Sequence, residues 1–355
     1  MRRAPDARGS QPRAPSACHM RPVTAITARC TVHCSCTTEV EMTDDILSQA
    51  LGLMRITGSL LLVGAYAPPW GITIPHQHGL AELLQSDSHT QVVAFHMVHR
   101  GSFELRGPDG DVTHINAGDV LVCFGGRAHT ISQGQPSAPV TLAAHLQGRH
   151  QRFEPITSGD QQDTALICGV FFLRDTYLNP LFAALPVFLH ASAAQCAQSA
   201  LLSSVTDVLA REITWRGYGS DYVAQRLLEL LCVEIIRAHM SATDDETAWG
   251  WLRGINDPLL ARALHRFHQA PGEPWSVDRL SAEVHLSSSR FAARFTAAFG
   301  ESCMIYVTKW RLSIARRLLR ATDDSIEDIA QQVGYQNLPA FTRVFRRYFG
   351  SSPTA

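Results

Sequence analysis

The chain contains no run approaching the roughly 18 apolar residues that a membrane-spanning helix needs. Its richest candidate, residues 60–67, is interrupted by Gly64 and stopped by Pro68-Pro69, so no membrane partner is expected. The Arg2-Arg3 pair is not followed by the apolar core of an export signal, which points to a cytoplasmic protein. Charge of either sign is scarce: Lys and Arg number 31, Asp and Glu 32, and charged residues make up 18% of the chain. Paired C-x2-C half-sites are missing from the nine cysteines. Cys30, His33, Cys34 and Cys36 crowd together without that spacing, so no zinc site is expected there. Cys123, Cys168, Cys196, Cys232 and Cys303 stand singly inside apolar runs, the pattern of reduced, buried thiols. What remains is 355 residues, 45% hydrophobic, enough for two or three domains with their own cores.

The near-zero net charge conceals an asymmetry. From Gly250 onward there are fourteen Lys/Arg and nine Asp/Glu, an excess of five positive charges, against an excess of six negative charges before it. A basic C-terminal module joined to an acidic remainder suits a nucleic-acid reader carrying a separate sensing domain. Residues 1–43, rich in Arg, Pro, Ala and Ser, show no hydrophobic period and read as a disordered or over-long extension, with Met42 as an alternative initiator.

Residues 44–190 carry short β-rich runs, "QVVAFHMVH", "GSFELRG", "DVTHI" and "AGDVLVCFGGRAHTI", separated by turn signals such as Pro108-Asp109-Gly110. "LICGVFFL" reads as a final buried strand. Nine of the sixteen histidines lie between His76 and His150. Residues 191–240 show helical spacing, as does "PLFAALPVFLHA" just before them. Leu201, Val205, Val208 and Leu209 form one predicted face and Leu227, Leu230, Leu231 and Ile235 another, joined by residues 216–219 as a helical hairpin able to dimerise. Residues 241–249 are a polar linker.

Within residues 250–355 one pattern is written twice. "SVDRLSAEVHLSSSRFAARFTAAFG" and "SIEDIAQQVGYQNLPAFTRVFRRYFG" each read as a helix, a tight turn and a second helix with Phe every fourth residue, closed by Gly. This is the arrangement that lays a second helix in the DNA major groove. Between the copies "MIYVTKWRLSIARRLLR" is a basic helix about 27 Å long, which can set two readers about one DNA turn apart. With the Phe stripe buried, the first reader presents Ser289, Ala292, Ala293 and Thr296, flanked by Arg290 and Arg294. The second presents Thr342, Arg343, Arg346 and Arg347, with Gln336 and Asn337 at its start.

These C-terminal elements resemble the DNA-binding domain of the AraC/XylS family of bacterial transcription regulators. The upstream region resembles a cupin barrel: Gly118, Gly126 and His129 keep the spacing of the second cupin motif, with Phe124 in place of its Pro. The fold class expected is therefore α+β, a cupin-like β-barrel with a helical hairpin followed by an all-α domain of two helix-turn-helix units joined by a linker helix. The resemblance implies base readout by the N-terminal halves of the reader helices. The DNA-binding candidates are Ser288, Ser289, Arg290, Arg294, Arg311, Gln336, Asn337, Thr342, Arg343 and Arg346. His96, Cys123 and His129 are the candidates for lining a small-molecule effector pocket. The metal-binding cupin set of three His and a Glu is incomplete, because Ala94 occupies the Glu position and His76, His78 and His89 miss the partner spacing. No metal, cofactor or catalytic residue is expected, and a metal-dependent cupin enzyme with an accessory helical domain is the alternative. The expected partners are double-stranded promoter DNA, a small-molecule effector, RNA polymerase and a second copy of the chain.

Overall fold

The computed structural model describes residues 46–136, 138–149, 151–154, 156, 163–242 and 250–353. The N-terminal extension, with Met42 and the cluster from Cys30 to Cys36, and linker residues 243–249 lie outside them. The described chain begins with α1 (Ile46–Gly52), β1 (Arg55–Tyr66), β2 (Trp70–Ile74), α2 (Gln77–Leu83) and β3 (Thr90–Arg100). It continues with β4 (Ser102–Arg106), β5 (Val112–Asn116), β6 (Val120–Val122), β7 (His129–Gln133), β8 (Val140–Thr141), α3 (Leu142–Leu146), β9 (Arg152–Phe153) and β10 (Thr164–Arg174). The strands form a six-stranded sheet ordered β11-β6-β3-β10-β1-β9, where β11 is Leu189–Ala191, and a five-stranded sheet ordered β5-β4-β7-β2-β8.

The central strands β3 and β10 read as almost continuous apolar runs because both of their faces are covered. Val92, Ala94 and Val98, with Leu166, Cys168 and Val170, face the second sheet and share a core with Ile72, Phe103, Ile115, Cys123 and Ile131. The alternate residues Val93, Phe95, Met97, Ile167 and Phe171 face outward into a core built with helices. A strand buried on both sides loses the polar alternation of a half-exposed one.

The stretch "PLFAALPVFLHA" is not one helix. Asn179 caps a five-residue helix, α4 (Pro180–Ala184), and the remainder turns into β11, which pairs with β6. Pro186 follows that short helix closely and cannot continue it. Next come α5 (Ala193–Gln198), α6 (Ala200–Trp215) and α7 (Ser220–Ala242). The hairpin's buried residues are Leu202, Val205 and Leu209 on α6, and Leu228, Leu231, Cys232 and Ile235 on α7. Leu201 and Leu230, assigned inward from the sequence, point outward at 44% and 36% exposure. Each belongs to a run of adjacent leucines, in which the phase of a 3.6-residue period is set only by what the helix packs against. Here α7 lies on β1, where Gly58 leaves room for Leu228, since a Cβ at that position would overlap it.

The C-terminal helices are α8 (Trp251–Asn256), α9 (Pro258–Gln269), α10 (Val277–Ala282), α11 (Ser288–Phe299), α12 (Cys303–Ala321), α13 (Ile326–Gln332) and α14 (Leu338–Phe349). Local chemistry starts each of the last six: the side chains of Asp257, Ser276, Ser287, Ser302, Ser325 and Asn337 accept from N–H groups of the first turn. Gly300 and Gly350, both left-handed, end α11 and α14. The two turns share a backbone trick at matching positions, His285 with φ +55° and Gly334 with φ +88°. At 334 a side chain is doubly disfavoured, because a Cβ would also sit 2.7 Å from the Gly272 carbonyl oxygen and the Arg311 guanidinium.

Candidate nucleic-acid interface and barrel centre

Each reader is a short helix, a turn and a twelve-residue helix whose phenylalanines face inward. Phe291 and Phe295 on α11 are fully buried, and Phe341 and Phe345 on α14 are 0% and 5% exposed. That orientation leaves Ser289, Arg290, Ala293 and Thr296 exposed on α11, and Arg343, Arg346 and Arg347 exposed on α14 beside the half-buried Thr342. Small side chains on one reader admit close approach to base edges and thymine methyls, whereas the arginines of the other can fork onto guanine or neutralise phosphate.

The structure divides the candidate residues by what else they do. Ser289, Arg290, Gln336 and Arg343 are exposed. Ser288 is bonded through Oγ to the Asp278 carboxylate. Asn337 caps α14 by accepting from the Ala340 N–H at 2.9 Å. Arg294 is held by Asp257 at 2.5 Å, and Arg346 donates to Ser352 Oγ at 2.5 Å. Arg311 stands apart. Its Nε and Nη2 donate to the Pro271 and Glu273 carbonyls at 2.7 and 2.5 Å, and burial pulls its pKa down. Its guanidinium therefore fastens the loop before α10 to the linker helix instead of standing out toward a groove.

Sequence reasoning also missed a set of arginines on the opposite side of α12. Arg316 and Arg320 reach Asp175 at 3.4 and 2.6 Å, and Arg317 donates to the Gly52 carbonyl at 2.9 Å. Asp175 is 11% exposed at its side chain and has φ +62°, in the loop that follows β10. Three residues later Leu178 enters the core of the second reader, with Leu312, Leu319, Ile329 and Phe341. The only forewarning was that "RR" and "R" recur on a helix otherwise read as a spacer.

His96 of β3, Cys123 just beyond β6 and His129 at the start of β7 meet between the sheets, each 3% exposed or less. The two Nε2 atoms are 2.9 Å apart, and Cys123 Sγ lies 3.7 Å from His129 Nε2. His129 Nδ1–H donates to the Arg127 carbonyl at 3.0 Å, which leaves Nε2 as the bare nitrogen and makes His96 Nε2–H the donor between the rings. Burial, reinforced by the neighbouring ring, holds His96 well below the ordinary histidine range, and burial holds His129 at about 4. Burial likewise pushes the Cys123 thiol up. These three residues do not line the cavities of about 440, 770, 30 and 540 Å³ formed elsewhere among the described residues. Among the described residues no carboxylate joins this cluster, and His76 instead caps α2 through Nδ1.

A cavity of about 440 Å³ lies where the sheet region meets the first reader, lined by Leu178, Pro180, Trp251, Phe299, Tyr306 and Lys309 among others. Its size falls in the range of small-molecule sites, roughly 300–1,000 Å³. The expected effector residues are buried between the sheets, and this cavity lies apart from them.

A cupin family model matches residues 45–241, and a helix-turn-helix domain model matches residues 280–355. A putative AraC-like transcription regulator of Streptomyces antibioticus is 30% identical over 265 residues, covering 74% of this chain and 86% of that protein. The chain belongs to the AraC family of transcription regulators. The HTH-type transcriptional regulator AlkR of Acinetobacter baylyi is 29% identical over 264 residues, 73% of this chain and 85% of that one. The solved DNA-binding domain of AdpA, in complex with a target DNA, is 31% identical, covers 27% of this chain and 86% of that one, and has a TM-score of 0.26. An AraC-family regulator binds DNA through its helix-turn-helix units, and nothing in these comparisons supports the enzyme alternative. Among the described residues no helix is long and apolar enough to cross a membrane.

Proposed function

We propose that this AraC-family regulator reads promoter DNA with α11 and α14 and that a small molecule bound outside the reader helices governs the reading. The observation that carries the control is the seam: Leu178, from the loop after β10, is built into the hydrophobic core of the second reader. A ligand entering the neighbouring cavity touches Leu178, Trp251 of α8 and the first reader's Phe299 at once, so it can favour one docking of the sheet region over another. The exposed Ser289, Arg290, Ala293 and Arg343 and the half-buried Thr342 are the base-reading side chains in this scheme, and Arg346 and Arg347 are phosphate contacts. Leu201, Trp215, Tyr222, Val223 and Leu230 leave an apolar face on the α6–α7 hairpin, which supports pairing with a second copy. Activation or repression then follows from where the bound protein sits relative to RNA polymerase, in the cytoplasm.

Footprinting of the full chain across the region upstream of its own gene tests this. The expected result is protection of two major-groove segments about one helical turn apart, altered by a metabolite that fits the seam cavity. Protection without sequence preference under all conditions contradicts it.

A further inference from the structure

We propose that His96, Cys123 and His129 form a binding site for one thiophilic d10 metal ion, held by the two Nε2 atoms and by Cys123 Sγ. The inference concerns what the centre of the sheet region holds, and it stands whether or not occupancy is transmitted to the readers.

Three strands deliver the ligands to one point, and all three ligating atoms lie within 4.8 Å of one another. Around a tetrahedral ion, imidazole nitrogens stand about 3.3 Å apart and a nitrogen and a sulfur about 3.6 Å apart, given metal–ligand bonds of about 2.0–2.3 Å. The observed 3.7 Å from sulfur to nitrogen already matches, and the 2.9 Å between nitrogens needs to open by about half an ångström. One ligand is aligned in advance: donation from His129 Nδ1 to the Arg127 carbonyl fixes the ring and aims the lone pair of Nε2 inward, the outer-shell support seen at metal-bound histidines.

The donor set selects the ion. With Ala94 at the cupin carboxylate position, the site offers two imidazoles and a sulfur and no oxygen, which disfavours Mg2+, Ca2+ and Mn2+ and suits Cu+ or Zn2+. On binding, the Cys123 S–H bond breaks, the metal–sulfur bond forms and that proton leaves to solvent, while the His96 Nε2–H bond breaks as the metal–nitrogen bond forms and its proton is taken up on the otherwise unpartnered Nδ1 of the same ring. One thiolate with Cu+ makes a neutral unit, which an apolar interior accepts. One thiolate with Zn2+ leaves a positive charge buried among Ala94, Phe103 and Leu121, and burying an unbalanced charge is costly. Zinc therefore needs a second thiolate. Cys168, opposite His96 in the β3–β10 ladder but outside the 4.8 Å cluster, is the thiol that has to move in to give it.

The test uses the full chain with Cys18, Cys30, Cys34 and Cys36 replaced by Ser, so that thiols outside the described residues contribute nothing. Under anaerobic reducing conditions, Cu+ is competed against bicinchoninate and Zn2+ against 4-(2-pyridylazo)resorcinol. One equivalent of metal is expected, and Cys123→Ser in that background weakens binding by at least the roughly 100-fold that marks the upper range for losing an orienting partner. The metal raises the melting temperature of the parent and not of Cys123→Ser, and circular dichroism of the metal-free variant reports that it is folded. Cys168→Ser distinguishes the ions: Cu+ binding survives it and Zn2+ binding does not. Less than one equivalent of both ions, or binding that a folded Cys123→Ser leaves unchanged, overturns the proposal.

Discussion

His268, on α9, lies flat against Trp310 with ring centroids 3.7 Å apart and planes 9° from parallel. Trp251 Nε1–H donates to the Tyr306 hydroxyl at 3.3 Å, and that hydroxyl donates to His268 Nε2 at 3.1 Å, an arrangement that needs the neutral ring. Burial, with a smaller contribution from His265, drops the His268 pKa to about 3. Unfolding restores an ordinary histidine near 6.5, so below that pH the unfolded chain binds the extra proton. Stability contributed by this site is therefore intact above about pH 6.5 and is lost as pH falls toward 3, at up to about 1.4 kcal/mol per pH unit. His268→Gln keeps an acceptor for Tyr306 but cannot ionise. Urea unfolding followed by tryptophan fluorescence should find the variant weaker at pH 7.5, through lost stacking, yet less sensitive to acid between pH 6.5 and 5. Equal acid sensitivity in the two proteins counts against a neutral buried His268. The same scale shows why sequence alone ranks candidate residues poorly. Arg311, Arg294 and Arg343 are indistinguishable as basic letters on basic helices, but Arg311 serves two backbone carbonyls, Arg294 serves Asp257, and Arg343 is exposed.

The helices of the readers were legible in the sequence because three local signals agree: a capping Ser or Asn, a Phe every fourth residue, and a closing Gly. The strands β3 and β10 were legible as apolar runs bounded by turns. The hairpin's exact faces and the strand β11 were not, because adjacent leucines satisfy two helical phases and "VFLHA" becomes a strand only by pairing with β6. The barrel centre was partly legible: His129 followed from motif spacing, and His96 and Cys123 were named with it, but only the fold brings the three side chains into contact. On α14, Arg343 is exposed between the buried Phe341 and Phe345, two residues from each, so it projects away from the buried Phe stripe, the side that the proposed reading turns to the groove. If it forks onto guanine, Arg343→Ala costs about 1–3 kcal/mol on the cognate site and relaxes preference at one base pair. A phosphate contact instead weakens all sequences alike and lowers the salt slope by about one. Base readout is the expected outcome, read by competition binding against a randomised site library at two salt concentrations.

At the scale of the molecule the sheet region and the readers are not beads on a string. The outer face of the six-stranded sheet, the hairpin and the first reader share a core that includes Phe95, Leu231, Phe267 and Phe291. The second reader is fastened separately, by Leu178 in its core, by Arg317 on the Gly52 carbonyl, and by Arg316 and Arg320 on Asp175. This second fastening rests on two ion pairs to the largely buried Asp175, one carbonyl contact and one leucine, fewer groups than the continuous core that holds the first reader, so it is the one suited to a switch. It also occupies three arginines of the linker helix that are otherwise available to phosphates. Asp175→Asn keeps the size of the side chain and removes its charge, releasing Arg316 and Arg320 without opening a cavity. Basal affinity for the upstream DNA should then rise, and the plot of log affinity against log salt should steepen, by up to about 0.9 for each arginine that finds a phosphate. Fluorescence anisotropy across a salt series measures both quantities, with hydrogen exchange in α12 and α14 as the structural control. Faster exchange with unchanged affinity and slope means that the clamp only holds the fold together. Slower exchange, or weaker DNA binding at low salt, means that Asp175 positions the second reader for DNA instead of restraining it.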